Sequence, residues 1–174
     1  MNIQPATEAD LPAILDITNE VIANTTAIYA YAPQTLEERA RWFAELRAGG
    51  WPVIVAKVDG LVVGFGSIAT FRARPAYKYT GEHSVHVDAR YRGKGIGRAL
   101  LLALIAEARK LELRVLVGGI DAGNTVSLKL HADLGFVETA RMPGVAWKFD
   151  RWLDLVFMQL TLPGPTTPQN GART

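Results

Sequence analysis

The spacing of apolar residues along the chain predicts four helices. In the clearest of them, apolar side chains recur every three or four positions from Ile96 to Leu111, which places them on one face of a helix. Another helix is predicted to begin at Thr35, because Glu38 stands where a capping box needs it, and to end before two successive glycines. A further helix is predicted to begin after an N-cap at Thr7, with apolar residues between Leu11 and Ile22 on its buried face, and the fourth is predicted over 124–134.

Runs rich in β-branched and aromatic residues predict the strands. Two of these runs are joined by Asp59-Gly60, a strong two-residue turn signal, so they are expected to form a hairpin. The predicted strands cover 2–6, 53–58, 61–71, 82–87, 115–120, 136–140 and 152–162. The elements therefore follow the order βααβββαβαββ, in which strands and helices are interspersed, and an α/β class is expected.

Composition limits the classes of function. The chain has 174 residues, which favours one domain, and its net charge of +2 is too small to indicate a nucleic-acid partner. It has no cysteine, which excludes disulfides, a thiolate nucleophile and a cysteine zinc site, and no metal is expected. Because neither a signal peptide nor a long apolar run is seen, we expect a cytoplasmic protein that does not bind membranes. The domain is predicted over 1–162, followed by a disordered tail over 163–174 that is rich in proline and glycine.

A basic, glycine-rich turn precedes the helix that begins at Ile96. Glycines at alternate positions permit positive φ angles, and a helix N-terminus contributes unpaired N–H groups and a positive dipole end. Three cationic side chains add full charges. Together these features predict a site for closely spaced negative charges, most simply a pyrophosphate. The turn consists of Arg92, Gly93, Lys94, Gly95, Ile96, Gly97 and Arg98.

Other interpretations of this turn were weighed. A Walker P-loop needs Ser or Thr after its lysine, but Gly95 follows Lys94 here. A dinucleotide-binding fold needs Gly-x-Gly-x-x-Gly near an N-terminal strand, whereas this pattern is Gly-x-Gly-x-Gly in mid-chain. An RNA-binding loop would be accompanied by an aromatic platform. A simple tight turn with solvated arginines stays open.

Groups suited to acid–base chemistry and to anion binding lie just before the turn. Arg72 and Arg74 flank a bend with Tyr77 nearby, and two guanidinium groups can clamp a carboxylate, although they could equally be solvated. Glu82 begins a strand expected to be buried, where its raised pKa would let it accept a proton from an ammonium group. Alternatively, Glu82 is an ion-pair partner of one of these arginines.

The segment from Arg92 to Gly97 has the form Arg/Gln-x-x-Gly-x-Gly/Ala and resembles the GNAT superfamily of acyl-CoA N-acyltransferases. The resemblance covers almost the whole chain and implies a mixed β-sheet flanked by helices on both faces. It also implies that this turn holds the pyrophosphate of acetyl-CoA. Further backbone contacts to acetyl-CoA are implied for Val85, His86 and Val87.

The predicted helix over 124–134 resembles the GNAT helix in which an asparagine contacts the pantetheine arm and a tyrosine protonates the thiolate. Asn124 occupies the asparagine position, and Ser127 follows as a further cofactor contact. His131 stands in place of the tyrosine, so it is either a proton donor or base, or a core histidine bonded to a carbonyl.

Several segments resemble one branch of the superfamily, the phosphinothricin and methionine sulfoximine acetyltransferases. The resemblance implies an amino-acid-like acceptor, Glu82 and His131 as the catalytic pair, a role in antibiotic or herbicide resistance, and a homodimer. A non-catalytic CoA-binding domain and an enzyme that acetylates protein N-termini are the alternatives. Substrate contacts are implied for Arg72, Arg74, Tyr77, Tyr29 and Tyr31.

Overall fold

The computed structural model describes residues 1–171 of the chain. Within these residues it contains four α-helices and seven strands, in the order predicted from the sequence. The helices are α1 (Leu11–Asn24), α2 (Leu36–Ala48), α3 (Ile96–Lys110) and α4 (Thr125–Asp133). The strands are β1 (Asn2–Pro5), β2 (Val53–Val58), β3 (Leu61–Thr70), β4 (Thr80–Val87), β5 (Val115–Asp121), β6 (Val137–Lys148) and β7 (Arg151–Thr161).

The strands belong to one mixed sheet in the order β1-β2-β3-β4-β5-β7-β6. β4 and β5 run parallel, whereas β1–β2, β2–β3, β5–β7 and β6–β7 are antiparallel pairs. A parallel pair needs a long crossover connection, and α3 provides it between β4 and β5. The mixed sheet expected from the resemblance is therefore confirmed.

Local sequence signals account for several element boundaries. The Thr35 N–H donates to the Glu38 carboxylate at 2.8 Å, and the Glu38 N–H donates to the Thr35 hydroxyl at 3.2 Å, which is the predicted capping box. Asp59 and Gly60 both have positive φ angles, of 50° and 81°, as a tight hairpin turn between twisted strands requires.

β6 is longer than predicted. It continues to Lys148, although the sequence indicated a strand over 136–140. Pro143 and Gly144 interrupt the pattern and read as a turn, but a strand at the edge of a sheet tolerates proline and irregular register. The register with β7 shifts between Glu138 and Ala140 and again between Met142 and Ala146, which removes the regular alternation of apolar and polar residues.

The described residues form two compact units, which we treat separately. The first comprises residues 1–67 and 84–104, and the second comprises residues 68–83 and the chain from 105 onward. The core of the first unit includes Ile14, Ile22, Val55, Phe65 and Leu100. The core of the second unit includes Leu113, Leu116, Phe136 and Val156.

The domain boundaries inferred from the sequence stay a prediction. Residues 163–171 contain no helix or strand, and the last part of the predicted tail, 172–174, lies outside the described residues. The Arg114 guanidinium donates to the Leu162 carbonyl oxygen at 2.7 Å. The Gln169 N–H donates to the Tyr79 hydroxyl at 3.0 Å. Within residues 1–171, no helix has both the length and the apolar character required to cross a lipid bilayer.

Candidate active site

The predicted phosphate turn has the backbone geometry of an anion site. Gly93 and Gly95 have φ angles of 77° and 78°, and a Cβ atom added at either position would meet nothing within 4 Å. α3 begins at Ile96, and the Ala99 N–H donates to the Gly95 carbonyl oxygen at 3.1 Å as the first helical bond. The N–H groups just before Ala99 therefore lack partners within the helix and remain available to a ligand. Gly97 lies inside the first turn of α3, so the predicted alternation of left-handed glycines holds only at 93 and 95.

The cations of the turn differ in how freely they can meet a ligand. Arg92 is held by the protein itself, since its Nε donates to the Val87 carbonyl oxygen at 3.1 Å and its guanidinium pairs with the Glu20 carboxylate. The Lys94 ammonium lies 4.9 Å from the centroid of the Tyr91 ring. Arg98 projects from an exposed position on the first turn of α3. Lys94 and Arg98 are thus the better placed side chains for a bound anion.

Positive charge also surrounds the end of β4. The His86 imidazole packs against the Phe65 ring with centroids 5.2 Å apart, although the residue as a whole keeps some exposure. Burial, together with the Arg39 and Arg92 cations, lowers the pKa of His86 to about 4, so this imidazole is neutral near pH 7. Val85, His86 and Val87 are all partly exposed, as residues that offer their backbone to a ligand must be.

Arg39 is a charged group that sequence reasoning missed. Its side chain is buried on α2, and its guanidinium lies 4.3 Å from the centroid of the Trp42 ring. It also donates to the Gln34 side-chain oxygen. The only available signal was an arginine on the predicted second helix, and helical arginines are usually solvated. Its burial lowers its pKa to about 10, which leaves it cationic near pH 7.

In the second unit, Glu82 lies where the parallel pairing of β4 with β5 ends. The ladder runs from Thr80–Val115 to Glu82–Val117. The Glu82 carboxylate is half-buried, and burial raises its pKa, while the positive charge of Arg72 acts in the opposite direction. Within residues 1–171 no ion pair to Glu82 is found, so Arg72 acts on it through a longer-range field. A carboxylate with a raised pKa is a stronger base than that of an exposed glutamate.

His131 is part of a buried pair of histidines. Its Nε2 lies 2.9 Å from Nε2 of His83, and both residues are almost fully buried. The Phe136 ring packs against both imidazoles, with centroid distances of 5.3 Å to His83 and 5.0 Å to His131. The sequence alone gave no reason to single out His83, although a residue next to half-buried Glu82 on a strand points to the opposite face.

The predicted catalytic pair is not brought together. A Cβ added at Gly118 would meet the His83 ring at 2.7 Å and Nε2 of His131 at 3.4 Å. A Cβ added at Gly119 would instead meet the Glu82 carboxylate at 3.5 Å. Since neighbouring residues of a strand face opposite sides, the Glu82 carboxylate and the His131 imidazole lie on opposite faces of β5. They can serve one reaction only as separate proton acceptor and proton donor.

The predicted substrate contacts fall into three groups. Arg72 and Tyr77 lie close together because each contacts the Phe71 ring, the guanidinium at 5.3 Å and the phenol ring at 5.9 Å between centroids. Arg74 is exposed at the start of a short 3-10 turn. Tyr29 and Tyr31 are exposed on the segment between α1 and α2, in the first unit.

Asn124 and Ser127 have structural roles at the start of α4. The Asn124 side-chain oxygen accepts from the Ser127 N–H at 3.1 Å and caps the helix, which leaves the amide NH₂ free of that bond. The Ser127 carbonyl oxygen accepts from Nδ1 of His131 at 2.7 Å. The NH₂ group is therefore the part of the Asn124 side chain left open for the predicted cofactor contact, and Ser127 orients the His131 ring through its carbonyl oxygen.

Comparisons with known proteins agree with this geometry. Residues 15–136 match the model of the Acetyltransferase (GNAT) family. The L-amino acid N-acyltransferase of Escherichia coli is 44% identical over 168 residues, which cover 97% of this chain and 98% of that protein. The L-methionine sulfoximine/L-methionine sulfone acetyltransferase of Salmonella typhimurium is 42% identical over the same shares of the two chains.

A solved structure extends the match to three dimensions. The GNAT superfamily phosphinothricin acetyltransferase of Sinorhizobium meliloti, in complex with acetyl-CoA, is 34% identical and has a TM-score of 0.93. The match covers 98% of this chain and 92% of that one. The glycine turn, the fold and these similarities together lead to one conclusion: the chain belongs to the GNAT family of acetyltransferases.

Proposed function

We propose that this protein transfers the acetyl group of acetyl-CoA to the α-amino group of a small amino-acid-like acceptor, such as methionine sulfoximine, methionine sulfone or phosphinothricin. The observation that carries the proposal is the turn before α3, with two left-handed glycines and open space beside them. The named activities of the two curated relatives support the acceptor class.

The residues of the turn fit the diphosphate of acetyl-CoA. A diphosphate needs convergent N–H donors and positive charge without bulky side chains in its path, and Gly93, Gly95 and the first turn of α3 meet that need. Lys94 and Arg98 supply positive charge, while Arg92 stabilises the turn through its hydrogen bond to the Val87 carbonyl oxygen. When bound, acetyl-CoA supplies an acetyl group activated as a thioester.

Glu82 is proposed as the proton acceptor. An amino acid carries an ammonium group near neutral pH, and this group must lose a proton before its nitrogen can act as a nucleophile. The raised pKa of Glu82 brings its basicity closer to that task than the basicity of an exposed glutamate. A water molecule between the carboxylate and the amine is compatible with its half-buried position.

His131 is proposed as the proton donor to the departing sulfur. Its Nδ1–H donates to the Ser127 carbonyl oxygen, which fixes the ring orientation. The Asn124 amide NH₂ is proposed to contact the pantetheine arm, since its oxygen is already used in the helix cap. These roles place the proton donor and the proton acceptor on different side chains.

The acceptor's carboxylate is proposed to bind Arg72 and Arg74. Arg72 is the stronger candidate because its field already reaches Glu82, so a substrate carboxylate on Arg72 would bring the α-amino group towards the base. Tyr77 adjoins Arg72 through Phe71 and can contribute its hydroxyl. Tyr29 and Tyr31 are proposed to cover the bound acceptor.

A thiol-release assay tests the proposal. Purified protein is mixed with acetyl-CoA and, in separate reactions, with methionine sulfoximine, phosphinothricin, the common L-amino acids, or a peptide with a free N-terminus. We expect acceptor-dependent thiol release with the free amino acids and analogues. Binding of acetyl-CoA without thiol release for any acceptor would indicate the non-catalytic alternative, and release with the peptide alone would indicate an N-terminal acetyltransferase.

We also propose that the protein is a cytoplasmic homodimer with a role in resistance. β6 is the last strand in the sheet order, and several apolar side chains along it are exposed, among them Val137 and Met142. An exposed apolar edge strand favours pairing with a second chain. Sedimentation of Met142→Lys tests the dimer, with Leu102→Lys on α3 as the control at another exposed apolar residue: only Met142→Lys should yield monomers. The supply of acetyl-CoA in the cytoplasm supports a cytoplasmic localisation. A role in resistance is supported because acetylation removes the ammonium charge of a toxic amino-acid analogue.

A further inference from the structure

The buried histidine pair makes three short contacts in succession. Nδ1 of His83 lies 2.7 Å from the Val117 carbonyl oxygen. Nε2 of His83 lies 2.9 Å from Nε2 of His131, and Nδ1 of His131 lies 2.7 Å from the Ser127 carbonyl oxygen. Each distance lies within the range of a hydrogen bond.

Three hydrogen bonds need three protons, but two neutral imidazoles carry only two. The outer contacts are to carbonyl oxygens, which only accept, so both Nδ1 atoms must donate. That leaves both Nε2 atoms with lone pairs directed at each other across 2.9 Å. If one Nδ1 gave up its proton instead, its lone pair would face a carbonyl oxygen at 2.7 Å. The Ser127 hydroxyl, 3.4 Å from Nδ1 of His131, is too distant to offset that repulsion.

One extra proton satisfies all three contacts. It would lie between the two Nε2 atoms, and its positive charge would be spread over both rings. His131 is in the last turn of α4, where the negative end of the helix dipole favours a cation. The two carbonyl oxygens at the outer nitrogens favour it as well.

A second extra proton is excluded. Burial lowers the pKa of both imidazoles, that of His83 to about 3, and a charged His131 lowers that of His83 further, so burial opposes the first extra proton as well. The first proton is favoured nonetheless, because it alone satisfies all three short contacts, whereas a second would satisfy none. The pair therefore accepts one proton and not two, so it titrates as a unit.

Ionisable groups on the elements that carry or adjoin the pair either face away from it or have partners of their own. Glu82 is adjacent to His83 on β4, but its carboxylate lies on the other face of β5. On α4, the Lys129 ammonium pairs with the Asp133 carboxylate at 3.1 Å. On β5, Asp121 accepts from the Gly123 N–H at 2.9 Å, and on β6 the Glu138 carboxylate pairs with Arg141. The charged groups on α4, β5 and β6 are thus engaged with partners of their own.

We propose that His83 and His131 hold one shared proton between their Nε2 atoms, and that His83 is a positioning residue that keeps Nε2 of His131 protonated. The shared proton does not depend on the reaction. Its use does rest on the proposed function: as the thiolate of coenzyme A leaves, an S–H bond forms and the His131 N–H bond breaks. The pair is left neutral and regains its proton from solvent. The nitrogen loses two protons in becoming an amide, one from the ammonium group through Glu82 and one as the tetrahedral intermediate collapses. Both pass to solvent, so one proton is released net.

The number of ring protons on the histidine pair can be measured without an activity assay. The chain has three histidines, His83, His86 and His131, so the imidazole region of a nitrogen-15 NMR spectrum is simple, and His86→Gln removes the one signal outside the pair. Near neutral pH we expect three ring N–H protons on the pair, one of them coupled to both Nε2 nitrogens. Two ring N–H protons at every pH at which the protein is folded would overturn the proposal.

His83→Gln tests the positioning role. Its amide NH₂ can donate to Nε2 of His131, which then stays neutral with a single proton on Nδ1. We expect kcat to fall about 100-fold with little change in the KM for acetyl-CoA, and the loss of activity at alkaline pH that marks deprotonation of the pair should disappear. An unchanged pH profile of kcat would contradict the role.

Two further results keep the outcomes distinct. If His83→Gln does not fold, His131→Gln supplies the same test from the other ring, since His83 should then show one ring proton, on Nδ1. If the wild-type protein shows the shared proton but acetylates no acceptor, the proposed function fails and the proton count stands. If the wild-type protein acetylates an acceptor but the histidine pair carries only two ring N–H protons, only the inference on the pair fails.

Discussion

The phosphate turn predicts that Gly95→Ala will weaken acetyl-CoA binding more than it weakens the fold. Gly95 has a φ angle of 78°, and its added Cβ would meet no atom of the protein within 4 Å. The substitution therefore adds backbone strain without a clash. A left-handed residue with a Cβ costs about 1–2 kcal/mol. In a chain of this size that lowers the melting temperature by about 2–8 °C.

The effect on binding comes from a different source. The methyl group would occupy the open space in which we place the diphosphate, and the N–H donors beside it would lose their alignment. A hydrogen bond to a charged group contributes about 1.5–3 kcal/mol. Loss of one such bond raises the Kd for acetyl-CoA by about 10-fold to 100-fold.

A matched control is present in the same chain. Gly60, in the β2–β3 hairpin turn, has a φ angle of 81° and the same open surroundings. Gly60→Ala should lower the melting temperature by a similar amount and leave acetyl-CoA binding unchanged. Calorimetric titration and thermal melts of both variants provide the comparison. Equal acetyl-CoA affinity in the two variants would refute the placement of the diphosphate at this turn.

Three further predictions follow from side-chain environments. Glu82→Gln should reduce kcat by about 10²–10⁴-fold at unchanged acetyl-CoA affinity. Because burial raises the pKa of Glu82, the ionised carboxylate destabilises the fold. The variant should therefore melt at a higher temperature than wild type near neutral pH, and the difference in melting temperature should vanish in acid. Gly118→Ala places a Cβ 2.7 Å from the His83 ring and should cost about 1–3 kcal/mol in unfolding free energy, whereas Gly119→Ala, with contacts of 3.5 Å, should cost less. Asp10→Asn should remove acid sensitivity: burial tends to raise the pKa of Asp10, but its hydrogen bonds prevail and lower it, so wild-type stability from this group is lost as pH falls below the usual aspartate range.

Each of these has a contrary result. Intact turnover in Glu82→Gln would remove it as the base. Equal melting temperatures for Gly118→Ala and Gly119→Ala would show that the His83 ring moves aside without cost. An acid unfolding midpoint in Asp10→Asn identical to that of wild type would mean that the Lys57–Asp10 ion pair, at 2.7 Å, contributes nothing to the pH dependence of stability.

Much of the fold could be predicted because its signals are local. The Thr35 cap and the Asp59-Gly60 turn act within a few residues, so their outcome does not depend on distant parts of the chain. β6 could not be delimited, since Pro143 and Gly144 lie in a register irregularity opposite β7, and only the sheet shows that the strand continues beyond them. The anion turn was visible because glycine and helix signals coincide within seven residues.

The chemistry of the site was less accessible from the sequence. The pairing of His83 with His131 joins residues 48 positions apart and depends on where α4 packs against β5. The placement of Glu82 and His131 on opposite faces of β5 likewise depends on sheet register, which a motif does not encode. Arg39 is buried and contacts Trp42 and Gln34, which its place on a predicted helix did not indicate.

The central claim is that an acetyl group moves from acetyl-CoA to the nitrogen of a free amino acid. It is tested most directly with acetyl-CoA that carries carbon-13 in the acetyl group and with L-methionine sulfoximine as acceptor, followed by mass spectrometry and NMR of the product. The account predicts one labelled acetyl group on the α-nitrogen and one equivalent of free coenzyme A. Recovery of unlabelled acceptor after complete incubation with folded protein, for every amino acid and analogue tried, would contradict it.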